Sequence, residues 1–573
     1  MNQQPTLTFR PSRLTAALAL TLAMTAAPVA AQSSAPTDNA TINLIRLLVE
    51  QGVLKQDQAD ALVKQAVAEA AQVKTATASG GAALAEPGDV RVPYIPETVR
   101  EQIRDEVRTD VMAQAKAENW AQPNTFPDWV SRITVEGDVR VRGESRGFNQ
   151  GNSNEVIDFA EFNAGGPYDV NPYSVNNPGF PPMLNTRRDR RNLLRVRARL
   201  GVRADISEQW TAGIRLATGS DNSPVSTTQT LGGGMEKKDI WLDQAYITYR
   251  PANWATVTGG RIGNPFESTN LLYSNDLNFD GVAGIFNHAL AGRNVTLFGT
   301  LGAFATEYAN SPWSSSNDLS EGESENKWLL GGQVGAEWKI DAKNSLRGAI
   351  AYYHFDNIAG QRSSPCSPWA GDEACDTDWS RPAFMQKGNT VFLLRDIALN
   401  PADPAGTPMP QYVGLASEFN LLDLNLRWDT RVMNGMGLRL SGNYIRNLAY
   451  DEGKMWSRSA GQIVNNLNND GQIESGGNAW MIHAALGSGF GVRDKGDWQI
   501  FAGYKYIQPD AMPDGYNDSS FHLGGTNARG YYLGGSYAFD KNVYGALRWS
   551  SSREIYGAPL AIDIVQLEVN ARF

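Results

Sequence analysis

Histidine, cysteine and long apolar runs are all scarce in this 573-residue chain. There are four histidines, His288, His354, His483 and His522, and none sits in a visible nucleophile motif. Barrel-type hydrolases need a histidine beside a nucleophile, a water or a carboxylate, so an enzyme has little to be built from. The only two cysteines, Cys366 and Cys375, lie in "SSPCSPWAGDEACDTDW". In an oxidising compartment they are expected to pair and pin a loop, and no histidine is near enough in sequence to make them a metal site. Nothing in the chain calls for a cofactor. The one long apolar run is Leu14–Ala27, and the mean hydropathy is −0.37, which excludes a helical membrane protein.

That run follows Arg10 and Arg13 and precedes Pro28-Val29-Ala30-Ala31-Gln32. A charged start, a short apolar centre and small residues at its end predict an export signal over residues 1–31. It is too short for a bilayer span. Removal after Ala31 takes two of the 51 basic residues and none of the 61 acidic ones, for a net charge of −12. An acidic exported chain is not a nucleic-acid binder.

What is plentiful is glycine (56) and aromatic residues (15 Trp, 20 Tyr, 20 Phe). Residues 32–128 read as a helical periplasmic segment. Two short helices over 41–73 break at Gly52, and the second carries a stripe of Ala59, Leu62, Val63, Ala66, Val67 and Ala70. A linker follows at about 74–90. Beyond it Val99, Ile103, Val107 and Val111 recur every four residues on a charged helix. The stripes either seed an oligomeric bundle or pack on each other or on the rest of the chain. Neither lasts the three or four heptads that argue coiled coil.

From 129 to 573 the period changes to two. Sixteen segments of strand character run from 130–145 and 192–205 through 416–429 and 435–448 to 542–553 and 560–573. Short connections such as "ISEQ", "PAN" and "DKN" alternate with long ones such as 146–190, 307–326, 358–415 and 449–476. This pattern predicts an all-β fold, a transmembrane antiparallel β-barrel of about sixteen strands with the helical extension before it.

The stretch "RNLLRVRARLGVRAD" (191–205) puts Leu194, Val196, Ala198, Leu200 and Val202 on one parity and Arg195, Arg197, Arg199 and Arg203 on the other. "RITVEGDVRVRGE" does the same with Arg132, Arg140 and Arg142. A dry core would not accept so many charges, whereas an aqueous lumen would. These seven arginines are therefore expected to line a pore. The alternative is that those on 191–205 pair with Glu136, Asp138 and Glu144 and stiffen the wall, and both can hold. The last strand, "LAIDIVQLEVNARF", alternates to a terminal Phe573, which is similar to the aromatic signal read by bacterial barrel-insertion machinery.

The stretch "VRVPYIPETVREQIRDEVRTDVMAQAKAENWAQPNTFPDWVSRITVEGDVRVRGE" (90–144) resembles the N-terminal signature of the bacterial "putative porin" family. "LDQAYITYRPANWATVTGGRIGNPF" (242–266) is similar to its Gly-Arg…Asn-Pro-Phe segment. With Phe573, the resemblance covers about 90–573. It implies an outer-membrane barrel in lipid, a diffusion channel for small hydrophilic solutes, and homotrimers as the expected assembly. It implies no particular solute and no residue-level site. The arginine density is an analogy of chemistry with anion-favouring porins. An adhesin built on the long loops is the main rival reading, and a barrel enzyme the second. The segment 261–280, with Arg261, Glu267, Asp276 and Asp280, is either a constriction facing the basic wall or an ordinary surface loop.

Overall fold

A computed structural model describes residues 128–186, 191–220, 223–308, 326–372 and 374–573, together with Lys64 and Val107. The expected signal over 1–31 and the helical segment over 32–128 lie almost wholly outside the described residues. The chain divides into two compact units, Met1–Ala113 and Gln114–Phe573, and the barrel belongs to the second.

Sixteen long strands form it: β1 Ile133–Phe148, β2 Arg191–Asp205, β3 Trp210–Thr218, β4 Ile240–Ala252, β5 Ala255–Gly263, β6 Asn278–Ala289, β7 Val295–Glu307, β8 Lys327–Lys339, β9 Asn344–Asp356, β10 Phe419–Val432, β11 Met436–Asn447, β12 Asn478–Gly487, β13 Trp498–Ile507, β14 Ala528–Asp540, β15 Val543–Glu554 and β16 Ala561–Arg572. Each pairs antiparallel with its neighbour in sequence, and β16 pairs with β1, so the ring is closed. Closure leaves no edge of unpaired backbone groups, the condition for a sheet to cross hydrocarbon. A two-residue strand, Gln229–Thr230, adds to β2 from the loop after β3.

Alternation sets the two faces. Val135, Val139, Val141, Leu200, Val202 and Leu567 are 42–63% exposed and point outward. On the same strands Asp138, Arg140, Glu144 and Gln566 are buried and point inward. Aromatic side chains mark both rims, as interfacial girdles do. At the short-turn end Trp210 stacks on Tyr249 with ring centroids 4.5 Å apart, and Trp254 stacks on Phe286. Trp241, Tyr352, Tyr444 and Tyr531 stand exposed toward the other end.

The seam is closed by the last residue. The Gly137 amide donates to the Phe573 carbonyl and the Phe573 amide donates to the Gly137 carbonyl, both at 3.0 Å. A Cβ on Gly137 would lie 2.5 Å from the Phe573 ring and 2.6 Å from the Arg199 carbonyl, so glycine is what lets the ring lie on the strand.

The lumen is not empty. Residues 264–277, between β5 and β6, bury Leu271, Leu272 and Tyr273. These pack with inward wall residues including Phe304, Leu329, Tyr353, Phe419 and Leu421. Phe266 sits edge-on to Tyr353, 5.0 Å between centroids, in space that Gly331 leaves: a Cβ there would meet the Phe266 ring at 2.6 Å. Residues 357–418 and 508–527 also reach inward. Asn389 donates to the carbonyls of Pro509 and Met512, and Thr390 donates to the Asp510 carboxylate through both its amide and its hydroxyl. Cys366 and Cys375 are joined by a disulfide, S–S 1.99 Å, in 357–418.

Candidate functional site

The register of three adjacent strands builds the arginine cluster. Arg142 stands opposite Arg195, Arg140 opposite Arg197, and Asp138 opposite Arg199 across β1 and β2. Across β1 and β16, Arg142 faces Glu568 and Glu144 faces Gln566. Like charges placed directly opposite are destabilising unless something lies between them. Here each of the four facing arginines has a carboxylate within 4 Å, though no single carboxylate bridges Arg142 and Arg195 or Arg140 and Arg197.

Glu144 accepts from Arg146 at 2.7 Å and from Arg195 at 3.3 Å, with Gln566 at 2.9 Å. Glu568 accepts from Arg142 at 2.7 Å and lies 3.9 Å from Arg140. Asp138 accepts from Arg197 at 2.6 Å and Arg199 at 2.5 Å. Asp276, from the loop 264–277, accepts from Arg197 and Arg199, each at 3.4 Å. Each of the four carboxylates thus lies between two arginines. Among the described residues, the ion-paired ladder sets six arginines against four carboxylates, a surplus of two positive charges. The side chains keep up to 20% of their surface open, so the pairs hold the arginines in place without sealing them. Arg140 is the least compensated: it donates to Thr228, and its Nε has no hydrogen-bond partner.

The loop 264–277 crosses the lumen from this wall to a second arginine group. Glu267 at its other end meets Arg347 at 3.0 Å and Arg427 at 3.3 Å. Its backbone amide donates to Gln333, and its carbonyl accepts from Gln333 and Asn425. Thr269 donates to Asn443, and Asn270 donates to Asp518 at 3.1 Å. Asp518 also lies 3.5 Å from Lys505 and from Arg548. The second group is balanced: Arg347, Arg427 and Arg439 meet Glu267, Glu337 and Asp429. Lys505 and Arg548 share Asp518, a surplus of one, so the larger positive surplus of these groups belongs to the first wall.

The structure brings together Arg140, Arg142, Arg195, Arg197, Arg199 and Asp276. Arg132 and Arg203 are exposed and form no ion pair among the described residues. Asp138 and Glu144 serve as partners of the 191–205 arginines, whereas Glu136 is exposed and takes none of them among the described residues. Arg261 pairs with Asp280 through both carboxylate oxygens, at 2.9 and 2.8 Å, and makes no ion pair with the ladder carboxylates among the described residues. Residues that strand parity alone did not single out are Arg146, Glu568, Arg215 with Asp243 at 2.5 Å, and the Arg347–Arg427–Arg439 group. Their signal was present, one inward charge per strand, but without a cluster in sequence to mark it.

Among the described residues no group of three or more His, Cys, Asp or Glu could hold a metal. His522 meets the Ser552 hydroxyl at 3.0 Å but is fully buried, with its Nε2 unpartnered.

A closed sheet, apolar outside and charged inside, with a loop laid across its lumen, defines a transmembrane β-barrel channel. A family model described as "Putative porin" matches residues 38–573, and the chain belongs to that family. It is a porin channel of the outer membrane. No curated protein sequence matches it. Solved structures similar to it include the outer-membrane channel DcaP of Acinetobacter baumannii, at 11% identity and TM-score 0.36, covering 77% of this chain and 98% of that one. OprB of Pseudomonas putida is similar at 12% identity and TM-score 0.40, covering 78% and 95%. OmpT of Vibrio cholerae, in trimer form, is similar at 10% identity and TM-score 0.37, covering 77% and 99%.

Proposed function

We propose that this porin is a water-filled diffusion channel that favours small anions, with the β16–β1–β2 wall as its selective face and the loop 264–277 as its constriction. The observation that carries the reading is the surplus of two positive charges on a wall whose carboxylates are each already shared by two arginines. A guanidinium keeps its charge at any physiological pH, so the field is fixed. At physiological salt, charges act over about 8 Å, so an ion passing beside the ladder feels it and one at the far wall does not. The net negative charge of the whole chain does not oppose this, because selectivity follows the charge at the narrowest passage.

The test is the zero-current potential of the purified protein in a planar bilayer under a KCl gradient. Stepwise conductance with a potential of the sign set by chloride supports the reading. Stepwise conductance with the sign set by potassium refutes the anion preference and leaves the channel. An adhesin with a blocked lumen gives no steps.

A further inference from the structure

Asp276 differs from the other three carboxylates of the ladder. Asp138, Glu144 and Glu568 come from the barrel wall, and each has an arginine at 2.7 Å or closer. Asp276 comes from the loop across the lumen, and both of its arginines stand off at 3.4 Å. Its Oδ1 touches Arg197 and Arg199, while its Oδ2 is held by the Thr227 amide at 3.2 Å and the Thr227 hydroxyl at 3.0 Å. One carboxylate oxygen thus sits between two guanidinium groups, the geometry a free oxyanion takes at an arginine pair.

We infer that Asp276 is a resident stand-in for the permeating solute: its carboxylate occupies the anion-binding position between Arg197 and Arg199, and a small oxyanion or carboxylate must displace it to pass. This rests on the anion-favouring reading above. Charge-assisted contacts are short when strong, and these two are the longest that Arg197 and Arg199 make to a carboxylate. The group most easily exchanged is therefore the one carried by the loop. Displacement moves no covalent bond and no proton. It swaps one carboxylate for another anion, and Thr227 remains to hold the released side chain. The loop thereby sets a threshold: oxyanions that offer separate oxygens to two guanidinium groups compete, and spherical halides compete less.

The probe is inorganic phosphate, added at pH 7 to channels conducting KCl, with the fall in chloride conductance read as binding. Asp276→Asn removes the resident charge and is expected to tighten phosphate block by about tenfold, the factor one charge-assisted contact is worth. Asp276→Asn combined with Arg197→Gln returns block to the wild-type level or weaker. Thr227→Val, which takes away only the hydroxyl that holds Oδ2, moves block in the same direction by less. Unchanged phosphate block in Asp276→Asn overturns the inference while leaving the anion-favouring reading standing if the KCl potential keeps its sign. If Asp276→Asn forms no channels, Thr227→Val decides alone, and unchanged block there overturns it. A wild-type channel with cation preference overturns both.

Discussion

Substituting Gly137 tests the closure of the barrel at the seam where its last strand meets its first. The β16–β1 pairing ends with two backbone hydrogen bonds between Gly137 and Phe573, each 3.0 Å. A Leu at 137 would bring its Cβ to 2.6 Å from the Arg199 carbonyl, a backbone atom that cannot swing aside, and to 2.5 Å from the Phe573 ring. Relief of the ring contact requires Phe573 to leave, and relief of the carbonyl contact requires β1 to shift against β2. The freed groups then cost about 2 kcal/mol together if water reaches them, and several times that if lipid does. Gly137→Leu is therefore expected to lower the temperature at which the barrel loses its fast, unboiled migration on SDS gels. Deletion of Phe573 is expected to do the same, and the double change should fall short of the sum of the two, because they share the ring contact and the two backbone hydrogen bonds while the Arg199 carbonyl contact is separate. Gly137→Ala should lie between wild type and Leu. An unchanged transition temperature and unchanged yield in the outer membrane for Gly137→Leu would refute the role of this seam.

Three further outcomes follow from the same structure. Cys366→Ser is expected to leave insertion unaffected, since the bridge closes a small loop away from the barrel wall; loss of the protein from the outer membrane would contradict this. Asp514, in 508–527, is fully buried among loop groups, and burial pushes its carboxyl up to about 6. A raised folded-state value means its contribution is present below pH 3.8 and is lost as pH rises through 6, reaching a cost of about 3 kcal/mol at pH 7. Asp514→Asn should accordingly protect this loop from proteolysis at pH 7 more than at pH 4, and equal protection at both would count against it. Asp138→Asn leaves Arg197 and Arg199 with Asp276 alone, so it should raise anion preference and lower the gel transition temperature together; a change in neither would contradict the ladder.

Much of the barrel was legible because strand period and face are local properties. Leu194 and Arg195 declare opposite faces within two residues, and the alternation of short and long connections declares the two ends. Asp276 was legible as an acidic residue on a loop following a strand, though not the contact it makes, since Arg197 lies 79 positions away. Glu568 escaped for the same reason in stronger form: its partner Arg142 is 426 positions away, across the seam that only closure creates. The second arginine group was spread one residue per strand over β9, β10 and β11, so no stretch of sequence displayed it. The loops that fill the lumen are held by apolar packing and by long-range polar contacts such as Asn389 to Pro509, 120 positions apart, in stretches whose composition is that of any surface loop.

The central claim is that the arginine ladder sets which ions pass. The most direct measurement is the zero-current potential of the Arg195→Glu/Arg197→Glu/Arg199→Glu channel in a KCl gradient, with the Arg195→Gln/Arg197→Gln/Arg199→Gln channel beside it. The glutamate variant leaves three arginines against seven carboxylates on that wall, reversing the surplus of two positive charges. The potential should move toward potassium in the glutamine variant and further in the glutamate variant. Two assembled, conducting variants with the wild-type potential would show that the ladder braces the wall and does not choose the ions.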